Sequence, residues 1–255
     1  GEWDVSNGTN FQGMFTKALL FNQDIGSWDV SSGRDFTAMF SGALSFNQGL
    51  SEWDVSSGTN FSLMFLGATS FNQDISNWDV SNSDSFYGMF SFATDFDQDL
   101  RDWDVDSDDD LHHMFYGADQ MLDNGWSATP NISDFNAGGS TESTTSESTT
   151  SESTTSESNN DSISESGGNE TSSSYEFTSR LALLNAVDLW ISDEASATNT
   201  YGDINTWDVS AITDFSRLFR DKATFNSDIG NWDVSNGTSF DLMFEGATEF
   251  NQDIG

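Results

Sequence analysis

The tripeptide Trp-Asp-Val returns every 25 residues within two stretches of the chain, and this spacing constrains the fold more than any other feature. Its tryptophan occupies seven positions: Trp3, Trp28, Trp53, Trp78, Trp103, Trp207 and Trp232. A period kept to the residue predicts stacked coils, because an insertion inside one coil would break its register with both neighbours. We therefore expect a repeat protein with one core running along each stack.

The repeat unit carries two apolar patterns, as in Phe21–Ser45 (FNQDIGSWDVSSGRDFTAMFSGALS). The apolar residues of Ile25–Val30 have the spacing of a leucine-rich repeat, which predicts a short strand at Trp28–Val30 with Asp29 facing solvent. The apolar residues of Phe36–Phe40 fall at i, i+3 and i+4, which predicts one or two helical turns against the core. The expected fold class is an α/β solenoid, leucine-rich-repeat-like, with short parallel strands on one face and short helical turns on the other.

The repeats form two blocks that flank a segment of different composition. The predicted domains are a first solenoid block of about five coils at 1–126, a linker rich in Ser, Thr and Glu at 127–175, and a second block at 176–255. The linker has too few apolar residues to offset the entropy of ordering, so we expect it to be disordered. Both blocks are cut in mid-repeat at the chain ends, and we expect an internal fragment of a longer protein.

The second block opens with a pattern that predicts a capping helix over Ser179–Ser192, with Thr178 as its N-cap. Leu181, Leu184 and Val187 form one apolar stripe, which Leu183, Trp190 and Ile191 widen. A helix placed just before the first coil of a repeat array covers the apolar end of the stack.

Two neighbouring positions of the repeat also recur as amides. The asparagines are Asn22, Asn47, Asn72, Asn226 and Asn251, and the glutamines that follow are Gln23, Gln48, Gln73, Gln98 and Gln252. Stacked amides about 4.8 Å apart can bond from coil to coil, so we expect them to satisfy backbone groups of buried turns.

The chain carries 43 acidic and 7 basic residues, for a formal net charge of -36. This charge argues against nucleic acid as a partner, because phosphates would be repelled, and it favours cations or basic surfaces. The absence of cysteine from the sequence excludes disulfides and thiolate metal sites. No apolar run approaches the roughly 20 residues that cross a bilayer, so we expect no membrane insertion within the fragment.

The aspartates of the Trp-Asp-Val tripeptides form what we call the acidic ladder: Asp4, Asp29, Asp54, Asp79, Asp104, Asp208 and Asp233. In-register stacking would project these carboxylates from one face about 4.8 Å apart, where like charges repel. One hypothesis is a ligand-binding face whose repulsion is relieved by bridging calcium. The alternative is a solvated acidic face, or aspartates that bond to the amides of turns.

A denser acidic cluster provides the candidate metal ligands Asp102, Asp104, Asp106 and Asp108. These residues alternate like the ligands of a calcium loop, but the stretch lacks the glycine and the closing glutamate of an EF-hand. His112 and His113 are adjacent and would point in different directions, so we do not expect them to share a metal. Carboxylate pairs recur in every coil and define no unique catalytic pocket, so we expect no enzyme and no cofactor apart from calcium.

The repeat unit, with siblings ending in MFLGATS and MFEGATE, closely resembles the repeat of BspA-type leucine-rich-repeat surface proteins. The segment LLNAVDLWISDEASATNTYGDINTWDVSAITDFSRLF also looks like the one that precedes such arrays in that family. The resemblance implies a secreted or cell-surface protein that mediates adhesion to proteins, glycans or surfaces. The alternative is a purely structural spacer or fibre component of a cell-surface layer.

Overall fold

The computed structural model describes residues 3–106, 109–135 and 174–255. Each 25-residue unit forms one coil, and successive coils lie on one another in register. The indole N–H of Trp53 donates to the carbonyl of Ile25 at 3.0 Å, and the backbone N–H of Phe36 donates to the carbonyl of Asn60 at 3.0 Å. Bonds of both kinds recur from coil to coil, so the predicted stacking at a 25-residue stride is present.

The predicted parallel strands are absent from the described residues, where only isolated parallel bridges occur, such as Asp35 with Asn60. Around Trp28–Val30, backbone N–H and carbonyl groups form hydrogen bonds within local turns instead of hydrogen bonds between strands. The N–H of Trp28 donates to Ile25 at 3.1 Å, and the N–H of Gly33 donates to Val30 at 2.7 Å. The α/β solenoid with parallel strands is therefore a wrong prediction.

The predicted helical turns are also wrong, since Phe36–Ala43 forms a ribbon of consecutive β-turns. The N–H groups of Met39, Ser41 and Ala43 each donate to the carbonyl three residues earlier, and the N–H groups between them donate to the next coil. Ala38 has a φ of 55° and Gly42 a φ of 68°, and the described coils repeat these two left-handed positions. A residue with positive φ at the third position of a turn is compatible with a type II turn and ends any helix.

In the core, equivalent aromatic rings of successive coils stack in rows, which we call aromatic files. The prediction that the apolar stripes form the core is confirmed. The rings of Phe36 and Phe61 stack at 5.4 Å, those of Phe40 and Phe65 at 5.5 Å, and Phe40 also stacks on Phe46 at 4.0 Å. Each such ring is fully buried, and offset stacks of this kind stabilise a core beyond their buried area. One hydrophobic cluster runs through all the coils.

Helices in the described residues lie at the two ends of the stack and not in its interior coils. They are α1 (Asp119–Asp123), α2 (Arg180–Ser192) and α3 (Glu194–Tyr201), and short 3-10 turns cover Ile132–Asp134 and Ile204–Thr206. No helix in these ranges is both long and apolar enough to span a membrane.

Helix α2 covers the outer face of the coil that contains Trp207. Its N-cap is Ser179, whose side chain accepts the N–H of Ala182, so the cap lies one residue after the predicted Thr178. The side chains that it buries are Leu183, Ala186, Val187 and Trp190, whereas Leu181, expected in the stripe, is 67% exposed. The ring of Trp190 meets that of Trp207 edge-on at 5.9 Å, which closes this end of the stack.

The opposite end is closed by α1 and the residues that follow it. Trp126 and Phe135 are buried, and the ring of Phe115 meets Trp126 at 5.2 Å. The segment 127–135, which the sequence assigns to the linker, packs here through a hydrogen bond from the N–H of Phe115 to Ala128. The predicted disorder of the remaining linker falls on residues 136–173, which lie outside the described residues.

The two repeat blocks join into one stack, because the coil of Trp232 lies directly against the coil of Trp3. We call this contact the seam. The N–H of Phe240 donates to the carbonyl of Asn10 at 2.9 Å, as Phe36 does to Asn60 within a block. Across the seam, the rings of Phe240 and Phe11 stack at 5.6 Å. The spatial order of the coils is therefore that of Trp207, Trp232, Trp3, Trp28, Trp53, Trp78 and Trp103.

Candidate functional site

The acidic ladder follows the stack from one end to the other. Six of its aspartates are exposed and Asp208 is half-buried, while the tryptophan and valine on either side of each are buried. The burial alternation predicted for Trp-Asp-Val is therefore confirmed, although the segment is not a strand. Asn7 donates to Ser235 across the seam at 2.8 Å, as Asn82 does to Ser56 at 2.9 Å, so the register continues beside the ladder.

Most ladder aspartates also cap a turn. The Oδ1 of Asp54 accepts the backbone N–H of Ser56 at 3.0 Å and its hydroxyl at 2.6 Å. The same backbone bond from the residue two positions later is present at Asp4, Asp29, Asp79, Asp208 and Asp233. The interpretation that these aspartates bond to turn amides is confirmed, and a capping carboxylate can still offer its charge to a partner.

Serine hydrogen bonds stabilise the charged form of several ladder carboxylates. The hydroxyl of Ser56, followed by its backbone N–H, lowers the pKa of Asp54. Serine lowers the pKa of Asp4 and Asp208 in the same way. Hydrogen bonds to an ionised carboxylate favour ionisation, so these groups stay negative through the neutral range.

The predicted metal cluster is only partly described, since Asp108 lies outside the described residues. Asp102, Asp104 and Asp106 are exposed. Within the described ranges, no group of three or more His, Asp or Glu side chains could hold a metal ion. Calcium at these aspartates stays a prediction.

Asp109, next to that cluster, is the most perturbed carboxyl of the described chain. Burial, and after it the charges of Asp106, Asp84 and Asp104, raise its pKa to about 6, against a lowering by the N–H of Asp106. The Oδ2 of Asp109 accepts that N–H at 2.8 Å. A half-buried carboxyl among like charges holds its proton to a higher pH than a solvated one.

The two histidines point in different directions, as expected for neighbours. The Nδ1 of His112 lies 2.8 Å from the Oδ1 of Asp110, which also accepts the backbone N–H of His112 at 3.0 Å. The ring of His113 instead meets Tyr87 at 6.0 Å and Tyr116 at 5.6 Å.

His113 belongs to a groove on the turn ribbon that sequence reasoning missed. This aromatic groove has a volume of about 490 Å³, and its main side chains are Leu63, Leu66, Tyr87, Phe92, His113 and Tyr116. A signal for it exists in the repeats, because the positions of Tyr87, Phe92 and Tyr116 are occupied by Ser62, Gly67 and Ser91 in the preceding coil. Bulky apolar residues at exposed positions that are otherwise small or polar mark this groove as a second candidate site.

The fold and the acidic ladder together define a class, a repeat protein of stacked, turn-rich coils with a line of exposed carboxylates. A family model described as "Mycoplasma protein of unknown function, DUF285" matches residues 1–65, 34–128 and 191–255. These matches cover more than half of the chain, which therefore belongs to that family. No curated protein and no solved structure matches significantly. The resemblance to BspA-type proteins stays a prediction.

Proposed function

We propose that this chain is a non-enzymatic binding module of an extracellular or cell-surface repeat protein, whose acidic ladder engages basic groups on proteins or surfaces. The observation that carries this role is the shared exposure of the ladder aspartates along one continuous stack. The formal charge of -36 attracts basic partners over a distance set by ionic strength.

Affinity in such a site comes from many equivalent contacts. An exposed ion pair contributes about 0 to 1 kcal/mol, so a single carboxylate holds a partner only weakly. A rigid row of carboxylates presents them together, and the second and later contacts form at high effective concentration. The turn caps help because Ser56 and its equivalents hold six of the seven carboxylates in place before the partner arrives.

The test uses Asp→Asn substitutions, because asparagine keeps the Oδ1 that caps the turn. Asn60 shows this compatibility, since its Oδ1 accepts the N–H of Ser62 at 2.9 Å. The ladder variant combines Asp29→Asn, Asp54→Asn and Asp79→Asn. The matched control removes the same charge at exposed positions off the ladder with Asp95→Asn, Asp119→Asn and Asp123→Asn.

Binding of the full chain to a polylysine-coated surface is measured by surface plasmon resonance at several salt concentrations. The ladder variant is expected to lose several-fold more affinity than the control and to show a shallower salt dependence. Equal losses in the two variants would refute the ladder as a binding face and favour the spacer role. A second series with millimolar calcium tests bridging, which predicts a higher melting temperature for the wild type and a smaller gain for the ladder variant.

A further inference from the structure

The aromatic groove exposes apolar surface that the fold does not need. Phe92 is 50% exposed, Tyr116 is 51% exposed and Tyr87 is 41% exposed. The core files beside them are already filled by fully buried rings such as Phe90 and Phe115. Clustered, exposed aromatic residues on a polar chain mark a binding surface more often than a structural element.

The backbone at Phe92 determines how its ring is presented at the groove. Phe92 adopts a φ of 57°, a left-handed conformation that an aromatic residue rarely takes. Gly42, Gly67, Gly117 and Gly246 occupy the equivalent position in four other coils, and Lys17 and Asp221 occupy it with φ of 56° and 57°, so Phe92 is the one aromatic residue among the described coils at this left-handed position. Glycine at this position would avoid the strain, so the phenyl ring is held there at a cost to stability.

Gly117 in the next coil makes room for that ring. A Cβ added to Gly117 would lie 2.7 Å from Cδ1 of Phe92, which is closer than real contacts allow. Phe92 therefore lies over a bare stretch of backbone and meets Tyr116 edge-on, at 5.3 Å and 90°. The ring is fixed in position at the groove without being buried.

The groove offers ring faces next to polar edges. The ring of His113 is nearly perpendicular to both Tyr87 and Tyr116, at 79° and 73°. The tyrosine hydroxyls and the imidazole nitrogens provide hydrogen-bonding groups along the same surface, whereas the hydroxyl of Ser91 is buried and donates to the carbonyl of His113 at 2.6 Å. A sugar ring has the matching pattern, with C–H groups on its faces and hydroxyls around its rim.

The charges on the groove and on the whole chain favour a neutral ligand over a basic or an acidic one. The residues that line the groove include no Asp, Glu, Lys or Arg, although the whole chain carries a formal charge of -36. A basic ligand would find more carboxylates on the acidic ladder, and an acidic ligand would be repelled by the chain. A groove of about 490 Å³ lined by aromatic residues and a few polar groups lies in the size range of small-ligand sites.

We propose that the aromatic groove binds a neutral oligosaccharide, by stacking of sugar rings on Tyr87, Phe92 and Tyr116 and by hydrogen bonds from His113 and the tyrosine hydroxyls. This site lies on the turn ribbon and does not depend on the acidic ladder. It extends the binding role to a second class of ligand.

The repeat itself supplies the test substitutions. The groove variant combines Tyr87→Ser, Phe92→Gly and Tyr116→Ser, which installs the residue types found at these positions in the preceding coil. The control variant combines Leu20→Ser and Leu44→Thr, which removes exposed apolar surface elsewhere by installing the residues of the following coil, Ser45 and Thr69. Near-ultraviolet circular dichroism of the buried tryptophans reports whether each full chain is folded.

The full chain is applied to an array of neutral oligosaccharides of glucose, mannose, galactose and N-acetylglucosamine, and the tightest one is titrated calorimetrically. The wild type and the control variant are expected to bind it equally, and the groove variant at least tenfold more weakly. The proposal fails if no neutral oligosaccharide binds, or if the folded groove variant binds as well as the wild type. Groove-dependent capture of uncharged peptides without any sugar binding would also overturn it, in favour of a peptide site.

Discussion

The asparagines and glutamines that bond from coil to coil, which we call the amide file, give a prediction about stability. The size of the expected change in the free energy of unfolding follows from their hydrogen bonds. The Oδ1 of Asn47 accepts the backbone N–H of Asn72 at 2.9 Å and the side-chain amide of Gln73 at 3.0 Å. The N–H of Asn47 itself donates to Asn22 at 2.9 Å, and that bond survives substitution of the side chain. The predicted amide file is thereby confirmed, and Asn47 is one link in its interior.

Asn47→Ala removes both bonds to the following coil. At about 0.5 to 1.5 kcal/mol of net stability for each hydrogen bond, the expected loss is about 1 to 3 kcal/mol in the free energy of unfolding. Gln73 keeps the backbone carbonyl of residue 47 as an acceptor at 3.1 Å, so the lower half of that range applies, about 2 kcal/mol or less.

Asn47→Asp is the matched control, because aspartate retains Oδ1. Asp97 shows that the position accepts an aspartate, since its N–H donates to Asn72 at 2.9 Å and its Oδ1 accepts Asn124. Urea unfolding followed by tryptophan fluorescence gives both free energies, with an unchanged m-value showing that the compactness of the states is unaltered. An alanine variant as stable as the wild type, or an aspartate variant weakened as much as the alanine one, would refute the role of the amide file.

Two further predictions concern single positions. Gly33→Ala places a Cβ 2.4 Å from Cζ of Phe36, so it is expected to lower the free energy of unfolding, measured in urea, by about 1 to 3 kcal/mol. The control Gly49→Ala, whose Cβ would meet nothing within 4 Å, is expected to change that free energy by less than about 0.5 kcal/mol. Asp109 has a folded pKa of about 6 above an ordinary value of 3.8, so its contribution to stability is full below pH 3.8 and is lost as the pH rises through 6. Asp109→Asn is therefore expected to stabilise the protein at pH 7 by about 1 kcal/mol, after discounting for its partial exposure, and to have little effect at pH 4. A variant that gains no melting temperature at pH 7, or gains as much at pH 4, would contradict the assigned pKa.

The sequence predicts which side chains are buried better than it predicts the backbone that buries them. The positions of Trp28, Val30, Phe36 and Phe40 in the core follow from their spacing, because burial leaves the same apolar pattern whatever the hydrogen bonds are. The left-handed conformation of Ala38 leaves no such trace, since alanine rarely adopts it and is typical of helices.

The seam could not be predicted for a different reason. All coils carry nearly the same residues at equivalent positions, so the pattern of one coil does not identify which coil lies against it. The aromatic groove is visible in sequence only as a departure from the repeat, at Tyr87, Phe92 and Tyr116. Such departures are better guides to a specific site than the repeated residues, which report the fold.

The central claim of this structure is that both repeat blocks form one stack through the seam, and a disulfide tests it. Thr9 and Thr238 are exposed neighbours across the seam, joined by a backbone hydrogen bond of 3.0 Å. Arg34 and Thr59 have the same relation within the first block, with a bond of 2.9 Å. In-register neighbours about 4.8 Å apart lie within the Cα range that a disulfide can bridge.

The chain has no cysteine, so Thr9→Cys with Thr238→Cys introduces the only two thiols, as does Arg34→Cys with Thr59→Cys in the control. Each full chain is oxidised in dilute solution and examined on a non-reducing gel and by peptide mass spectrometry. The stack through the seam predicts that both pairs form an intramolecular disulfide at similar rates. Free thiols or only intermolecular dimers at the seam, with the control pair fully bridged, would show that the two blocks do not join.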